Sequence, residues 1–409
     1  MRAERILASW LRTRRAMRFS PKQLARRRAR LWQRLQPHLA RTPALAPYAG
    51  QPLSAFPATD PATLRADYGA WNSLGLSDAE LRRLADKAEA GSETGDLSAG
   101  WSTGSGGGAR GLFLANSKER ADYIGQSLAR LLPTGTLLSR QRFALHLRAS
   151  NALYSDVQRG RFAFAHFPLE GSCDETMAAL ARFDPTILVA PPHRLLAFAR
   201  AGLELPSLRH LFCGSEPVSA AETDYLEQAF GIRPRAIYQA TEGFLGAECP
   251  EGRLHLNEHA IEFEFEPVPG TTGFRPIITD LRRTSQPIVR LRGDDYIELT
   301  GEICPCGYGG RVINPPQGRM GDIWRFAERT LAPPQVVAAI EDKLGAQHAW
   351  KAQADARGVV LRIAADCPEA SAREAAKALG TLAGKRVTLE QDLGPWRGPK
   401  RRKVVWRDG

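Results

Sequence analysis

The sequence has no long hydrophobic run and little cysteine. No stretch of about 18 consecutive apolar residues occurs, so no membrane-spanning helix is expected. The N-terminus carries Arg residues but only a brief apolar stretch at 6–11, which argues against a secretory signal. Six cysteines in 409 residues argue against a disulfide scaffold. These absences predict a cytoplasmic protein with a hydrophobic core of its own, which a chain of this length can bury.

Acidic residues are almost missing from the first 42 positions. This segment holds thirteen Arg or Lys residues and one Glu, and its excess of positive charge equals the formal net charge of +12. The rest of the chain is therefore neutral overall. Ser20-Pro21-Lys22-Gln23 has capping-box spacing with Pro at the first helical position, and it predicts a helix start. The apolar stripe of this helix would be formed by Leu24, Leu31, Trp32 and Leu35. Its basic flank would be formed by Arg26, Arg27, Arg28, Arg30 and Arg34.

The basic segment has three interpretations. The favoured one is a helical region docked on the body, with a solvated basic face. The second is a patch for an acidic partner, such as a carrier protein, an anionic membrane surface or nucleic acid. The third is a mitochondrial-type presequence formed by the Arg-rich residues 2–30. No aromatic pattern suited to base stacking accompanies the charge, so DNA binding is not expected.

Helix and strand patterns alternate between residues 112 and 245. Short buried strands separated by helices predict a parallel α/β sheet. The Gly- and Ser-rich residues before them, 90–111, are expected to be loop, and alternating strands at 255–300 predict a β-rich subdomain. The α/β strands are expected at 162–167, 186–190, 208–213 and 236–239, and the helices at 117–132, 173–183, 193–201 and 219–230.

The C-terminal residues predict a separate small α+β unit. Its pattern suits a ferredoxin-like sandwich. The elements are expected to be a helix at 333–344, strands at 349–356 and 358–365, a helix at 370–383 and a strand at 386–391.

The stretch STGSGGGARG at 102–111 has the composition of an anion-binding loop. Its backbone N–H groups and hydroxyls carry little steric bulk and suit phosphate oxygens, and its Arg adds a positive charge. It lacks the G-K-[ST] of a Walker loop, and a plain linker is the alternative. The residues predicted to contact phosphate are Ser102, Thr103, Gly104, Ser105 and Arg110.

Two further turns follow predicted strands. FCGSEPVS at 212–219 places Glu-Pro beyond a strand end, although an ordinary strand–helix turn is the alternative. IYQATEGFLGA at 237–247 places Thr241 and Glu242 beside a glycine at the next strand end. Open α/β sheets bind ligands at such strand ends, so both turns are candidate parts of a site.

The succession of these stretches resembles the adenylate-forming superfamily of acyl-CoA synthetases, luciferases and adenylation domains. FDPTILVAPPHRLLAFAR at 183–200 and the residues at 208–243 carry this likeness, which covers roughly 95–325. Within the superfamily, four motifs are similar to the phenylacetate–CoA ligase branch, which includes a synthetase that adenylylates a deazaflavin cofactor. They are ECPEGRLHLNEHAIEFEFEP (248–267), QPIVRLRGDD (286–295), CPCG (304–307) and GRMGD (318–322).

The resemblance implies an ATP site. YQATEG resembles the motif Tyr-Gly-x-Thr-Glu, with Gln239 replacing the usual Gly. Thr241 would contact the α-phosphate, and Glu242 would help to hold Mg²⁺, a cation that prefers oxygen ligands. Asp295 would bind the ribose hydroxyls, with Asp294 as the alternative under a one-residue shift. The adenine slot would be lined by Ser215, Glu216, Pro217 and Tyr238.

The same likeness implies a hinged, two-domain enzyme. Arg319 would contact the nucleotide near the hinge, where Gly321 replaces the usual Asp or Lys and tolerates large backbone changes. The implied organisation is a basic helical region at 1–89, an adenylate-forming core at 90–320, a hinge at 321–325 and a mobile small domain at 326–409.

A lysine of the small domain would complete the site. Lys400, in GPWRGPKRRKVVW at 394–406, would stabilise the charge that develops between the α-phosphate and pyrophosphate. Lys403 is the competing lysine, and a plain basic tail is the other alternative.

Four residues form a candidate zinc site. Cys249, His255, Cys304 and Cys306 offer three thiolates and one imidazole, a standard set for structural Zn²⁺. The alternative is a CPCG turn with reduced thiols and a core histidine. The remaining cysteines, Cys173, Cys213 and Cys367, are expected to be small core residues.

The implied function is ATP-dependent ligation of a carboxylic acid. The acid would form an acyl-adenylate and then a thioester with CoA or with carrier-protein phosphopantetheine. An aryl acid is expected from the resemblance alone, and Tyr154, His166 and Phe167 are candidates for its site, although His166 is also typical of a core histidine. The alternatives are an adenylyltransferase that leaves AMP on an acid or cofactor, a basic nucleic-acid-binding adaptor, and a relative that binds nucleotide without turnover. The enzyme could form a homodimer.

Overall fold

The computed structural model describes residues 2–90, 95–102, 110–148, 161–394, 396 and 400–407. Within these ranges no helix combines the length and the apolar character that crossing a membrane requires. The helices are α1 (Arg2–Ala16), α2 (Pro21–Leu39), α3 (Pro61–Ala66), α4 (Asp78–Glu89), α5 (Ser117–Leu131), α6 (Cys173–Phe183), α7 (Pro192–Arg200), α8 (Ala220–Phe230), α9 (Pro333–Leu344) and α10 (Glu369–Ala383).

The strands form five sheets. They are β1 (Leu97–Trp101), β2 (Leu112–Asn116), β3 (Gln141–Leu145), β4 (Phe162–His166), β5 (Ile187–Ala190), β6 (His210–Cys213), β7 (Arg235–Ala240), β8 (Gly243–Glu248), β9 (Leu254–Leu256), β10 (Ile261–Pro267), β11 (Phe274–Asp280), β12 (Ile288–Arg292), β13 (Val312–Ile313), β14 (Trp324–Arg325), β15 (Thr330–Leu331), β16 (Trp350–Ala354), β17 (Val359–Ile363), β18 (Val387–Glu390) and β19 (Val404–Trp406).

The largest sheet has eight strands in the order β13-β9-β8-β7-β6-β5-β3-β4. The five strands from β4 to β7 are parallel, whereas β8, β9 and β13 continue the sheet in antiparallel pairs. The predicted parallel α/β core is therefore confirmed. Its four predicted strands and four predicted helices agree with the structure to within two residues at each end, whereas β3 was not predicted. Because β6 and β7 are parallel neighbours, the turns that follow them open at the same edge of the sheet.

The turn after β6 leads into α8 through a reciprocal cap. The Ser219 hydroxyl accepts a hydrogen bond from the Glu222 backbone N–H (3.2 Å), and Glu222 Oε2 accepts one from the Ser219 backbone N–H (3.1 Å). Gly231 ends the helix in the left-handed conformation, with φ of 68°. This cap fixes the start of α8, and with it the position of the buried Glu222 carboxylate.

The expectation that all of 90–111 is loop is wrong. Residues Leu97–Trp101 form β1, which pairs antiparallel with β2 over five residue pairs. Glycine is favoured at position 100 of this strand, because a Cβ there would lie only 2.5 Å from the Phe113 ring. A Gly- and Ser-rich composition therefore marks only the connection between the two strands, and long-range pairing overrides it at Leu97–Trp101.

The predicted β-rich subdomain is confirmed. Strands β10, β11 and β12 form an antiparallel sheet in sequence order. Ile261, Phe263 and Ile278 are buried in a cluster that also includes Tyr238 and Leu245 of the large sheet. The subdomain therefore packs against the strands that precede and follow the Thr-Glu turn.

The C-terminal residues have a hydrophobic core of their own, whose buried members all lie between Trp324 and Val404. The predicted α+β content is present, with α9 and α10 packed on a four-stranded sheet of order β18-β17-β16-β19. The ferredoxin-like detail is not confirmed. Two of the three strand pairs in this sheet are parallel, and Thr330–Leu331, which precedes α9, pairs with β14 outside it.

The N-terminal helices dock on the body. The capping box at Ser20 is present, and Leu24 and Leu35 are buried. Arg27 Nε donates a hydrogen bond to the His259 carbonyl (2.7 Å), and Arg28 Nε donates one to Glu262 Oε2 (2.6 Å). One side of the basic helix is therefore bound to the body, while Arg26, Arg30 and Arg34 are exposed.

Candidate functional site

A cavity of about 500 Å³ lies at the carboxyl ends of β6 and β7. The two ends of the glycine-rich stretch, the Glu-Pro turn after β6 and the Thr-Glu pair after β7 all reach it. The residues that sequence analysis places at an ATP site and that line this cavity are Ser102, Ser215, Glu216, Pro217, Tyr238, Gln239, Thr241, Glu242, Asp295, Arg319 and Lys400. Segments up to 298 positions apart in the sequence therefore converge on one space.

The glycine-rich stretch is closed at its base. The Gly111 backbone N–H donates to the Ser102 hydroxyl (2.8 Å), and the Ser102 N–H donates to the Gly111 carbonyl (2.7 Å). Arg110 is not brought to the 500 Å³ cavity, because its guanidinium pairs with both carboxylate oxygens of Glu89 at 2.7 and 2.9 Å. Three predicted phosphate contacts, Thr103, Gly104 and Ser105, lie outside the described residues.

The Thr-Glu pair stands where β7 turns into β8. Gly243 has φ of +153°, and a Cβ there would come within 3.0 Å of an Asp280 carboxylate oxygen, so the turn requires glycine. Thr241 lies against Gly111, where a Cβ would meet the Thr241 hydroxyl at 3.3 Å. Burial raises the pKa of the Glu242 carboxyl, and Asp295 nearby raises it further. A bound cation would offset both effects on Glu242.

Tyr238 and Asp295 connect β7 to the segment after β12. The Tyr238 hydroxyl donates to Asp295 Oδ2 over 3.0 Å. Burial raises the pKa of Tyr238 well above its ordinary value, so the phenol stays a donor. Asp294 is exposed and lies 3.6 Å from an Arg319 nitrogen. Of the two aspartates, Asp295 is therefore the one fixed at the cavity wall by a hydrogen bond from β7.

The Glu216 carboxylate is engaged by protein groups. Its side chain is 2% exposed, with Oε1 at 2.6 Å from His193 Nδ1 and Oε2 at 3.2 Å from Arg401 Nε. The preceding residue, Ser215, adopts a positive φ of 71°, which is uncommon for a residue with a Cβ. The Glu-Pro turn thus holds a buried carboxylate away from free solvent while Ser215 and Pro217 line the cavity.

Lys400 faces the cavity, whereas the ammonium group of Lys403 is already bound by carboxylates. Lys403 Nζ lies 2.5 Å from carboxylate oxygens of both Glu222 and Glu341. Among the described residues, Lys400 has no such ion pair within 4 Å, although Asp295 and Glu242 are near enough to affect it electrostatically. Burial lowers the pKa of Lys400, and Arg319 lowers it further. The geometry therefore favours Lys400 as the ammonium group available to a ligand.

A second cavity, of about 860 Å³, adjoins the first. Its walls include the apolar side chains of Phe113, Phe143, Leu145, Val189 and Phe244. The residues that line both cavities are Ser102, Ser215, Ile237, Gln239, Ala240, Thr241 and Lys400. The Thr-Glu turn and the lysine thus stand at the boundary between a polar space and a more apolar one.

The residues predicted to bind the acid do not all lie at the second cavity. His166 lines the second cavity, but its Nε2 lies 2.8 Å from the Leu147 carbonyl. Phe167 packs instead against Phe183, with the ring centroids 5.9 Å apart, and does not line either cavity. Tyr154 lies outside the described residues. Gln239 is held by the Tyr123 hydroxyl, which donates to its side-chain oxygen at 2.8 Å.

The four candidate metal ligands come together. The ligand atoms of Cys249, His255, Cys304 and Cys306 all lie within 4.8 Å of one another. The Cys249 and Cys304 sulfurs are 3.6 Å apart, and Cys306 Sγ is 3.4 Å from His255 Nε2. His255 Nδ1 lies 2.7 Å from the Gly310 carbonyl, an outer contact that orients Nε2 toward the sulfurs.

The chemistry of this cluster suits a metal cation. Burial raises the pKa of Cys249 to about 12 and also raises that of Cys306, so the thiolate forms need a compensating positive charge. Of the other cysteines, Cys213 and Cys367 are buried in hydrophobic clusters as expected, whereas Cys173 is only half-buried. Three sulfurs and one imidazole nitrogen match the tetrahedral sites of structural zinc.

The residues that hold the predicted site residues in place were not identified from the sequence. His193, Glu222 and Arg401 surround the Glu-Pro turn, and Glu89 anchors Arg110. Arg401 was next to the predicted Lys400, but nothing local indicates that it reaches Glu216, 185 positions away. The Ser219–Glu222 spacing indicates only a helix start.

One known ligase shares part of this sequence. No protein-family model matches the chain. A phenylacetate-coenzyme A ligase from Thermus thermophilus is 27% identical over 194 residues, which are 42% of this chain and 43% of that protein. The match therefore spans less than half of the curated relative's length.

Solved structures extend the likeness to the whole chain. A 2-hydroxyisobutyryl-CoA ligase, in its postadenylation state with an acyl-AMP, matches with a TM-score of 0.64 at 18% identity, covering 99% of this chain and 90% of that one. An anthranilate CoA ligase in complex with anthranoyl-AMP matches with a TM-score of 0.53 at 16% identity, covering 75% of this chain and 67% of that one. The amide bond synthetase McbA from Marinactinospora thermotolerans gives 0.55 at 13% identity over the same shares. These likenesses show that the chain has the same fold as these enzymes, which is the fold that the sequence resemblance predicted.

Proposed function

We propose that the protein is an AMP-forming acid–thiol ligase, which activates a carboxylic acid with ATP and passes the acyl group to a thiol. The observation that carries this proposal is the convergence of the Ser102–Gly111 base, the Glu-Pro turn and the Thr-Glu pair on one cavity. An apolar cavity adjoins it at Thr241 and Lys400. The relatives named above as CoA ligases support the assignment.

The first step is formation of an acyl-adenylate. A carboxylate oxygen of the acid attacks the α-phosphorus of ATP, and the bond to the pyrophosphate oxygen breaks. Thr241 would donate to an α-phosphate oxygen, Asp295 would accept hydrogen bonds from the ribose, and Lys400 would stabilise the developing negative charge. Such catalysis consists mainly of positioning and charge stabilisation, which a set of fixed side chains can supply.

Magnesium would be held by Glu242 together with the phosphate oxygens. The raised pKa of this carboxyl, caused by burial and by Asp295, fits a group that receives a cation when the substrate binds. Mg²⁺ would neutralise charge on the phosphates. Arg319, just before the predicted hinge, lines the cavity and would contact the nucleotide.

Zinc would occupy the cluster of Cys249, His255, Cys304 and Cys306. Its role would be structural, because four protein donors leave no open position for a substrate. The ion would tie β9 and β13, which pair at His255 and Val312, to the loop that carries Cys304 and Cys306.

The second step is transfer of the acyl group to CoA or to a carrier-protein phosphopantetheine. The small domain at 326–409, whose hydrophobic core lies between Trp324 and Val404, would rotate about the hinge at 321–325 to admit the thiol. An aryl acid is the favoured substrate, because Phe113, Phe143 and Phe244 line the second cavity.

The test is acid-dependent ATP–pyrophosphate exchange with a panel of aryl and aliphatic acids. Exchange with one class of acid, followed by thioester formation with CoA, is the expected result. Retention of AMP in the final product would instead select an adenylyltransferase. Absence of exchange with every acid would contradict the proposal and leave a protein that binds nucleotide without turnover.

A further inference from the structure

Four consecutive cations, Lys400-Arg401-Arg402-Lys403, run along the edge of the nucleotide cavity. Lys400 faces the cavity, and the other three are bound by carboxylates that are at most 6% exposed. Carboxylates with so little exposure are rarely found without a partner, because removing a charge from water is costly. Residues 400–403 are therefore not a solvated tail. Their ion pairs define a closed state, in which this segment lies against the cavity.

Arg401 crosses from the C-terminal unit to the large α/β unit. Its Nη1 lies 2.6 Å from Glu222 Oε1, and its Nε lies 3.2 Å from Glu216 Oε2. The side chains of Glu216 and Glu222 are 2% and 3% exposed. Glu216 belongs to the turn after β6, and Glu222 is fixed by the cap of α8. One guanidinium thus joins the turn after β6, which lines the cavity, to the first turn of α8.

Lys403 makes a second crossing. Its ammonium lies 2.5 Å from Glu222 Oε1 and 2.5 Å from Glu341 Oε1, and Glu341 belongs to α9 of the C-terminal core. Arg402 pairs with Asp322, which lies within the predicted hinge. Glu222 therefore receives two cations, and the chain Glu222–Lys403–Glu341 links α8 to α9.

These contacts cannot survive a rotation of the C-terminal unit. Burial alone raises the pKa of Glu222, but Arg401 and Lys403 outweigh burial and lower it, which shows how strongly the carboxylate depends on them. If residues 400–403 move away, Glu216 keeps His193 and Glu222 loses both cations. Lys400 would leave the cavity in the same movement, because it is adjacent to Arg401.

We infer that Arg401 is a positioning residue of an ionic interlock, which places Lys400 in the cavity for adenylation and must open before thioester formation. The interlock consists of Arg401 and Lys403 with Glu216, Glu222 and Glu341. This inference rests on the proposed function for its two half-reactions. The closed state itself follows from the ion pairs alone, and it can be tested without substrate.

Limited trypsin digestion tests the closed state in the full-length protein. Each member of the 400–403 segment is a trypsin site, and the interlock protects these bonds. We expect Arg401→Gln to accelerate cleavage within 400–403 about tenfold, as followed by mass spectrometry of the released C-terminal peptide. An unchanged rate overturns the interlock, and this result does not depend on whether the protein is a ligase.

The two half-reactions test the positioning role. With benzoate and phenylacetate as acid probes, Arg401→Gln should lower ATP–pyrophosphate exchange at least tenfold. Thioester formation from supplied phenylacetyl-adenylate and CoA should stay within about twofold of the wild type or rise. Equal loss of both half-reactions overturns the inference. Absence of exchange in the wild type with every acid of the aryl and aliphatic panel is a failure of the proposed function, and the digestion experiment still decides on the interlock.

Two further variants separate positioning from folding. Arg401→Lys keeps the positive charge between Glu216 and Glu222, and it should recover most of the protection and of the exchange rate even if Arg401→Gln is poorly folded. Arg373→Gln is the matched control, because Arg373 is 71% exposed and pairs with Glu369 of the same helix. It should behave as wild type in both experiments. An Arg401→Lys variant no better than Arg401→Gln would contradict the ionic origin of the effect.

Discussion

The Tyr238 hydroxyl donates a hydrogen bond to Asp295 Oδ2 over 3.0 Å, joining the end of β7 to the segment after β12. One contact thus connects the strand that carries the Thr-Glu pair to the carboxylate expected to bind ribose. Burial raises the pKa of Asp295, whereas Arg319 opposes that change. The arrangement keeps a fixed acceptor in the wall of a polar cavity.

Replacement of Asp295 by Asn should weaken ATP binding. A hydrogen bond to a charged acceptor contributes about 1.5–3 kcal/mol, so KM for ATP in pyrophosphate exchange should rise roughly 10- to 100-fold. Tyr238→Phe should have a smaller effect in the same direction, because it removes only the group that orients Asp295. A larger effect from Asp294→Asn than from Asp295→Asn would reassign the ribose contact to Asp294.

Replacement of Lys400 by Ala should separate the two half-reactions. Removal of one group that stabilises transition-state charge commonly costs about 10²–10³ in rate, so acid-dependent pyrophosphate exchange should nearly disappear. Thioester formation from supplied acyl-adenylate should be largely preserved. Lys403→Ala tests the competing lysine, whose ammonium group in the wild type is bound by Glu222 and Glu341. Equal loss of both steps in Lys400→Ala would refute the assigned role.

The pH dependence of adenylation should carry the signature of Lys400. Burial, and then Arg319, lower the pKa of this ammonium. A lysine with a lowered pKa is charged at low pH and loses its charge as pH rises through the lowered value. Exchange should therefore decline at a pH below the ordinary lysine range. Lys400→Arg should abolish this decline, because a guanidinium stays protonated. An alkaline limb unchanged in Lys400→Arg would show that another group causes it.

Local sequence patterns predicted four of the eight strands of the large sheet, and they missed β3, β8, β9 and β13. The strands at Ile187–Ala190 and His210–Cys213 are short apolar runs between helices, and their pattern predicts them to within two residues. Leu97–Trp101 was missed because its glycine and serine residues indicate loop, and its strand depends on β2. The order of strands in the sheet depends on contacts between distant segments, which no local pattern encodes.

Some residues of the candidate site could likewise be predicted from the sequence, and others could not. Thr241 was a candidate because it stands at a strand end, and Asp295 was one because its motif resembles that of the adenylate-forming superfamily. Both line the cavity. Arg110 carried a suitable charge, but the structure pairs it with Glu89, which has no special sequence context. Arg401 and Glu216 are 185 positions apart, so their contact follows only from the docking of the two units. Charge type is visible in a sequence, whereas the partner of a charge is not.

Elemental analysis should find one zinc per chain, and removal of the metal should destabilise the fold. A chelator should lower Tm, because burial then opposes the thiolate forms of Cys249 and Cys306. Cys304→Ser should lose zinc and show the same lowered Tm. Cys173→Ser is the matched control, since this half-buried cysteine contacts Met177 and lies outside the cluster. A metal-free preparation with unchanged Tm would remove the site.

The approach of Gly111 to Thr241 should be sensitive to a single methyl group. A Cβ at Gly111 would meet Thr241 Cγ2 at 3.2 Å and its hydroxyl at 3.3 Å, so Gly111→Ala should displace the threonine by a few tenths of an ångström. Because misplacement of a positioning group by about 1 Å can cost roughly 10²-fold, a smaller shift should lower pyrophosphate exchange about threefold to tenfold. Gly135→Ala is the matched control, since a Cβ there meets nothing within 4 Å. The loss should appear in adenylation and not in thioester formation from supplied acyl-adenylate, because only the first step uses the contact of Thr241 with the α-phosphate during bond exchange. Full exchange activity in Gly111→Ala would mean that the position of the Thr241 hydroxyl does not limit adenylation.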